Sequence, residues 1–261
     1  MKDAEQEWQS IQDELDRQKS KRKDSDEFKV VEGVIDPPTL KVLYRLLNKG
    51  VLDAVYGAIS TGKEAGVYRG ADPDGKPLAV KIYRVSTAET HYMREYMISD
   101  PRFSRVSRRS RTLIPQWAAK EFKNLKRYHE AGVSVPEPIA VDKNVLVMEF
   151  IGDDESKLPA PLLKDVELES PVEAFNEIIG MIEIGYTEAQ LVHADLSEFN
   201  ILWLEKPYFI DVSQAVLKAH DYAEKYLYRD IQNITSYFNK LEVETADTQD
   251  ITDYILSSDE E

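Results

Sequence analysis

The chain has 261 residues, 42% of them apolar, and a formal net charge of −15, which is enough for one large domain or two small lobes around a shared cleft. It has no cysteine, which excludes disulfides and thiolate metal sites, and its four scattered His residues make a zinc centre a poor fit. The acidic balance argues against bulk nucleic-acid binding, no apolar stretch approaches the roughly 18 residues of a membrane span, and no N-terminal hydrophobic segment points to secretion, so no membrane association and a cytoplasmic location are expected.

Residues 1–23 alternate charges with sparse Trp8, Ile11 and Leu15 and predict an amphipathic helix, the first part of an N-terminal helical extension over residues 1–50. Asp36-Pro-Pro-Thr39 is a helix start, because Asp can cap and Pro is tolerated in a first turn; Leu40, Leu43, Leu46 and Leu47 form the apolar stripe and Gly50 closes it. From Val55 the period changes to extended segments at Ala58–Ser60, Val67–Arg69 and Leu78–Tyr83, the last two separated by the turn Asp72-Pro-Asp-Gly75. Arg84–Arg111 follows as a basic insert expected to be flexible, with seven Arg against Glu89, Glu95 and Asp100, and with Ser104, Ser107 and Ser110 among the arginines. Ile114–Ala131 reads as a helix, Val145–Phe150 as a buried strand, and Pro171–Gln190 as a long apolar helix. Ile201–Leu204 and Tyr208–Ile210 make a hairpin around Glu205-Lys-Pro207, and Leu217–Leu241 makes a last helix. Residues 242–261 hold eight acidic residues and no Lys or Arg, so a frayed acidic tail is expected. The fold class is therefore α+β in two lobes: a β-rich lobe over 51–152 and a mainly helical lobe over 153–241, joined near Gly152–Pro161, with a cleft between them where a nucleotide can sit.

The most telling segment is Leu191-Val-His-Ala-Asp-Leu-Ser-Glu-Phe-Asn-Ile-Leu202, followed by Tyr208-Phe-Ile-Asp211. Phosphoryl transfer needs a group that orients or deprotonates the acceptor and ligands that hold Mg²⁺ against the phosphates. Asp195 suits the first role, while Asn200 and Asp211 suit the second, since Mg²⁺ takes hard oxygens and usually only one or two from protein. His193 is placed to brace the loop. Gly57-Ala-Ile-Ser-Thr-Gly-Lys-Glu64 narrowly misses a phosphate loop: Glu64 stands where a hydroxyl should meet Mg²⁺, and a turn and strand follow where a helix should open. Such a turn can still bring backbone N–H groups over phosphates, or it can be a plain hairpin. Lys81 lies within an apolar strand, which is costly unless the amine has partners, although alternation alone would also permit an exposed face. Glu121 is the candidate partner; it shares a helix face with Trp117 and Leu125, and Glu130 is less well placed. Val147–Gly152 would connect the lobes, with backbone at Glu149 and Ile151 available to an adenine edge and Met148 either lining its pocket or packing in the core.

Ser60-Thr-Gly-Lys-Glu-Ala-Gly-Val-Tyr68, Ala79-Val-Lys-Ile-Tyr83, Leu191-Val-His-Ala-Asp-Leu-Ser-Glu-Phe-Asn200 and Ile210-Asp-Val-Ser-Gln214 together resemble the RIO family of atypical serine protein kinases, its first subfamily in particular, over about residues 35–240. The resemblance implies a protein-kinase-like two-lobe fold with a truncated helical C-lobe, binding of ATP with Mg²⁺ (or Mn²⁺), serine autophosphorylation, ATPase activity and a role in maturing the small ribosomal subunit. By motif match Lys81 would bind ATP phosphates, with Ser60, Thr61, Lys63, Glu121, Met148, Glu149 and Ile151 completing the nucleotide site. Asp195 would be the catalytic base, Asn200 and Asp211 the metal ligands, and Asp211 also a candidate aspartyl-phosphate site. Ser104, Ser107 and Ser110 are autophosphorylation candidates, and the basic insert could touch rRNA of a pre-40S or 30S-type particle. Ala194 departs from the Arg of ordinary protein kinases, which argues against control by a phosphorylated activation loop, and no A-P-E segment follows Asp211. The chain resembles an archaeal member more than a eukaryotic one, and a monomer is expected. Two other classes share parts of the pattern: small-molecule kinases of the aminoglycoside or choline type, and nucleotide-gated assembly factors that do not catalyse.

Overall fold

The computed structural model describes residues 35–84, 90–98, 100–103, 110–153 and 156–258. The helix expected over residues 1–23 and the candidates Ser104 and Ser107 lie outside the described residues. Helix α1, Pro37–Asn48, is capped as its sequence requires: Asp36 accepts from the Thr39 N–H at 3.1 Å and from its hydroxyl at 2.8 Å, and Gly50 follows the helix at φ 70°. Twelve residues are marginal as an isolated helix, so packing must hold it. Leu43 and Leu46 are buried against Val55, Leu78, Val80, Val145 and Val147, each such side chain contributing about 1.5–3 kcal/mol when fully removed from water. Arg45 adds a two-pronged ion pair to Asp142, with both contacts at 2.9 Å.

The N-lobe sheet runs β1 Ala54–Thr61, β2 Ala65–Ala71, β3 Pro77–Tyr83, β4 Pro138–Asp142 and β5 Val145–Glu149, in the spatial order β1-β2-β3-β5-β4 with every neighbour antiparallel. Alternation decides which face each side chain takes. Leu78, Val80, Ile82, Val145 and Val147 face α1, while Ala79, Leu146 and Met148 join the core beneath the other face. Lys81 shares that second face and is 7% exposed, so the exposed alternative is not the one taken.

The basic insert, expected to be flexible, carries a helix. Helix α2, Thr90–Ile98, lies within it, and Met93 and Met97 are buried against Tyr83, Leu113, Ile114 and Trp117. The apolar spacing Met93, Tyr96, Met97 is helical, but the surrounding arginines obscured it. Helix α3, Ser110–Glu130, then starts four residues earlier than expected, carries Pro115 in its interior, and includes the candidate Ser110 as its first residue.

Leu163–Asp165 forms a single 3₁₀ turn at the entry to the C-lobe. The C-lobe then comprises α4 Pro171–Thr187, β6 Leu191–Val192, the hairpin β7 Ile201–Leu204 and β8 Lys206–Phe209, β9 Val216–Leu217, α5 Ala223–Lys240 and α6 Thr248–Ser258. The last long helix starts later than residue 217 because Leu217 pairs with Leu191 in a two-stranded ladder. The frayed acidic tail is corrected for most of its length: α6 buries Ile251, Thr252 and Ile255, so its apolar positions dock while its carboxylates stay outside. Phe175 and Phe238 meet edge to face at 5.4 Å in the same core. Among the described residues no helix is long and apolar enough to cross a membrane.

Candidate active site

A cavity of about 590 Å³ opens between the sheet and the C-lobe, a size typical of small-ligand sites. Its apolar walls come from both lobes and include Val67, Ala79, Met148, Leu202 and Ile210. Ser60, Lys63, Glu64, Lys81, Glu149, Asn200 and Asp211, with the backbone at Ile151, are among its polar groups. Met148 therefore lines the cavity and is buried as well. Thr61 and Asp195 are not among its lining residues, and Glu121 sits behind Lys81, 1% exposed.

The Lys81 amine donates to Glu121 Oε1 at 2.7 Å and to Asp211 Oδ1 at 3.0 Å. Burial would depress this amine, but Asp211 and Glu121 together hold it above its ordinary value. Burial pushes the Glu121 carboxyl up to about 7 against the pull of Lys81. The Tyr83 hydroxyl donates to the other Glu121 oxygen. Tyr83 was missed in the sequence, although it lies two residues beyond Lys81 and so must share its face. Glu130 instead faces Lys126 at 3.7 Å on the surface.

Asp211 has φ 57°, a left-handed conformation that costs a non-glycine residue energy unless its surroundings impose it. Partial burial in the cleft would raise its carboxyl, but the Lys81 charge and hydrogen bonds from Lys81 and Ser213 hold it below the ordinary value. On α3, Lys120 donates to the Ser213 and Ala215 carbonyls, and burial brings its amine down to about 7.

The loop from His193 to Asn200 is fixed at several points. Burial holds the His193 ring neutral, with a pKa near 4, so Nε2–H donates to the Ile210 carbonyl at 3.1 Å, one residue before Asp211. Ala194 has φ 65°; its N–H and that of Leu196 donate to the two oxygens of Asp230 at 2.7 and 2.9 Å. Burial lifts the Asp230 carboxyl to about 7 even so. Arg229 donates to the Ala194 carbonyl and Asn233 to that of Leu196. Asn200 Nδ2 donates to the Asp195 carbonyl at 2.7 Å, and the Asp195 carboxylate accepts from Gln214 at 3.1 Å. Burial, then the charge of Asp211, raises the Asp195 carboxyl above its ordinary value, which makes it a better proton acceptor. Asp230 was also missed; a lone carboxylate among Leu227, Ile231 and Ile234 on one buried helix face was the available signal.

These features define a two-lobed protein of the protein-kinase-like fold. A family model of the RIO domain matches residues 66–251. The RIO-type serine/threonine-protein kinase Rio1 of Haloferax volcanii is 40% identical over 230 residues, covering 87% of this chain and 78% of that protein. The human serine/threonine-protein kinase RIO1 is 37% identical over 251 residues, covering 91% of this chain and 44% of that protein. A solved Rio2 kinase structure from Chaetomium thermophilum, a complex with ADP, Mg²⁺ and phosphoaspartate, superposes with a TM-score of 0.63 at 26% identity, over 81% of this chain and 64% of that one. The chain belongs to the RIO family, the RIO-type serine/threonine-protein kinases. It spans less than half the length of its human relative.

Proposed function

We propose that the chain binds ATP with Mg²⁺, transfers the γ-phosphoryl group to serine, its own included, hydrolyses ATP as a second outlet, and serves in maturation of the small ribosomal subunit in the cytoplasm. The observation that carries the catalytic part is the Lys81–Glu121 pair with Asp211 beside it at the floor of the 590 Å³ cavity. The ribosomal part rests on the motif resemblance and on family membership.

Lys81 would meet the phosphates, held in register by Glu121. The adenine edge would meet the backbone at Glu149 and Ile151, where the Glu149 N–H is already committed to the Glu137 carbonyl and the Ile151 carbonyl to the Ala160 N–H. That leaves the Glu149 carbonyl and the Ile151 N–H as the adenine contacts of this reading. Asn200 spends its amide N–H on the Asp195 carbonyl, which leaves its Oδ1 as a hard oxygen alongside the Asp211 carboxylate. Among the described residues no group of three or more His, Asp or Glu side chains is placed to hold a metal ion alone. A donor set of this kind fits Mg²⁺, which takes its other ligands from phosphates and water. Bound Mg²⁺ would neutralise charge on the transferring phosphoryl group. Asp195 would accept the serine proton as the acceptor oxygen bonds to the γ-phosphorus and the bond to the β-phosphate oxygen breaks, releasing ADP. The phosphoaspartate of the Rio2 complex supports a parallel route in which Asp211 takes the phosphoryl group and water then releases phosphate.

The test is incubation with γ-labelled ATP and Mg²⁺ beside Asp195→Ala and Asp211→Ala. Acid-stable label on serine that disappears in both variants is expected. Turnover that survives Asp195→Ala, rapid labelling of a small alcohol instead of protein, or tight nucleotide binding without any turnover would overturn the reading.

A further inference from the structure

The backbone that follows Asp211 is gripped from α3. Lys120 and Asn124 lie one helical turn apart and each is 0% exposed. The Lys120 amine donates to the carbonyls of Ser213 and Ala215 at 2.7 and 2.6 Å, and the Asn124 amide donates to those of Val212 and Ala215 at 2.8 and 3.1 Å. Burying an amine and an amide this completely is costly unless their donors are satisfied, and here they are satisfied by the turn that begins at a strained residue. A left-handed aspartate persists only when neighbours over-determine it, and these four bonds hold the turn that follows it, at residues 212, 213 and 215.

Asn124 is itself oriented from outside the lobe core. Arg102 donates to Asn124 Oδ1 at 2.8 Å, and its guanidinium is held by Asp100 through contacts of 2.6, 2.9 and 3.1 Å. A guanidinium only donates and a carbonyl only accepts, so the amide has one orientation: oxygen toward Arg102, nitrogen toward the Asp211 turn. Arg102 belongs to the stretch after α2, on the far side of α3 in sequence from Asp211.

We propose that Arg102, Asn124 and Lys120 form a positioning relay that holds Asp211 in its left-handed conformation, so that the segment following α2 sets how well the site takes up a divalent cation. None of the three touches reacting atoms; they act through the backbone of residues 212–215. The inference rests on the metal-holding role assigned to Asp211 above.

The experiment is a titration of the full chain with a fluorescent ribose-labelled ATP analogue, with Mg²⁺ varied and again in EDTA. It compares the wild type, Asp211→Asn, Asn124→Leu and the double variant Arg102→Ala/Asp100→Asn, which removes the guanidinium without stranding its carboxylate. Circular dichroism confirms that each variant is folded, and the double variant carries the test if Asn124→Leu is not. Groups that orient metal ligands cost roughly 10–100-fold in metal affinity when removed. The double variant should need about tenfold more Mg²⁺ for half-saturation and Asn124→Leu still more, with binding in EDTA unchanged. An unchanged Mg²⁺ dependence in the double variant while Asp211→Asn shifts it overturns the relay alone. An equal loss in EDTA and in Mg²⁺ also overturns it, because a general collapse of the pocket would act that way. If Asp211→Asn leaves the Mg²⁺ dependence intact, the metal role of Asp211 falls and the relay falls with it.

Discussion

Replacing Lys81 with Met keeps the aliphatic stem and removes the charge, which isolates what the ion pair contributes. Glu121 is 1% exposed and Lys81 is its partner at 2.7 Å, so the variant leaves a buried carboxylate without its counter-charge. Removing one member of a buried pair costs about 3–5 kcal/mol. The lower end applies here, because the Tyr83 hydroxyl still satisfies one Glu121 oxygen. The second partner adds little: the Asp211 side chain is 52% exposed, and water screens that contact. The sign of the pH dependence follows from Glu121. Burial has pushed its folded value up to about 7 from an ordinary 4.5, and loss of Lys81 pushes it higher. A carboxyl raised in the folded state binds its proton more tightly there, so stability is full below the unfolded value and is lost as pH rises toward the folded one. Wild type already loses stability between 4.5 and about 7 on this account; the variant goes on losing it above 7, at most about 1.4 kcal/mol per pH unit. Urea denaturation at pH 5.5 and pH 8 should therefore show a larger gap at the higher pH, by at most about 1.4 kcal/mol for the one unit between 7 and 8. Lys81→Met/Glu121→Gln should recover most of the loss, since the stranded charge is gone. A variant as stable as wild type at pH 8, or a double variant no more stable than Lys81→Met, would refute the buried-pair account.

Asp195→Asn should lower turnover by roughly 10²–10⁴-fold in a phosphate-release assay while leaving nucleotide affinity intact; because the Asp195 carboxyl is raised, the wild-type rate should fall on the acid side at a pH above that of an ordinary aspartate. Ile255→Ala should cost about 2–5 kcal/mol in chemical denaturation, as its side chain is 0% exposed, whereas a frayed tail would show no change. Gly152→Ala drives a methyl into the Leu158 carbonyl and the Phe150 ring, so the joint between lobes must shift; weaker nucleotide binding is expected along with a stability loss of about 1–3 kcal/mol, and isothermal titration that finds wild-type affinity would show that the joint tolerates the change.

The parts of the site that lie on short local patterns could be read from the chain. Asp195, Asn200 and Asp211 are candidates by their spacing, and Lys81 is conspicuous because a lysine in an apolar strand needs partners. Glu121 could be chosen over Glu130 because only the former lay on the Trp117 face, and the structure pairs it with Lys81. What could not be read depends on contacts far apart in sequence. Asp230 meets Ala194 and Leu196 across more than thirty positions, and Asn124 meets Val212 across 88; a polar residue in a helix gives no sign of which backbone it will satisfy. The helix at Thr90–Ile98 and the helix at Thr248–Ser258 were hidden for a different reason. Charge density dominates both segments, yet three well-spaced apolar side chains are enough to dock a short helix once a core is there to receive them.

The two strained residues of the site are braced from different lobes. Ala194 at φ 65° is held by Arg229 and Asp230 of α5, while the turn after Asp211 at φ 57° is held by Lys120 and Asn124 of α3. Ordinary protein kinases use the arginine beside the catalytic aspartate to receive a phosphate on the activation loop. In this chain a guanidinium reaches the same loop from within α5: Arg229 binds the Ala194 carbonyl, lies over the Tyr226 ring at 5.0 Å, and lowers the Asp195 carboxyl against the burial and the Asp211 charge that raise it. Its partners are a backbone carbonyl and an aromatic face, both supplied by the folded C-lobe. The loop carrying Asp195 is therefore set when α5 packs.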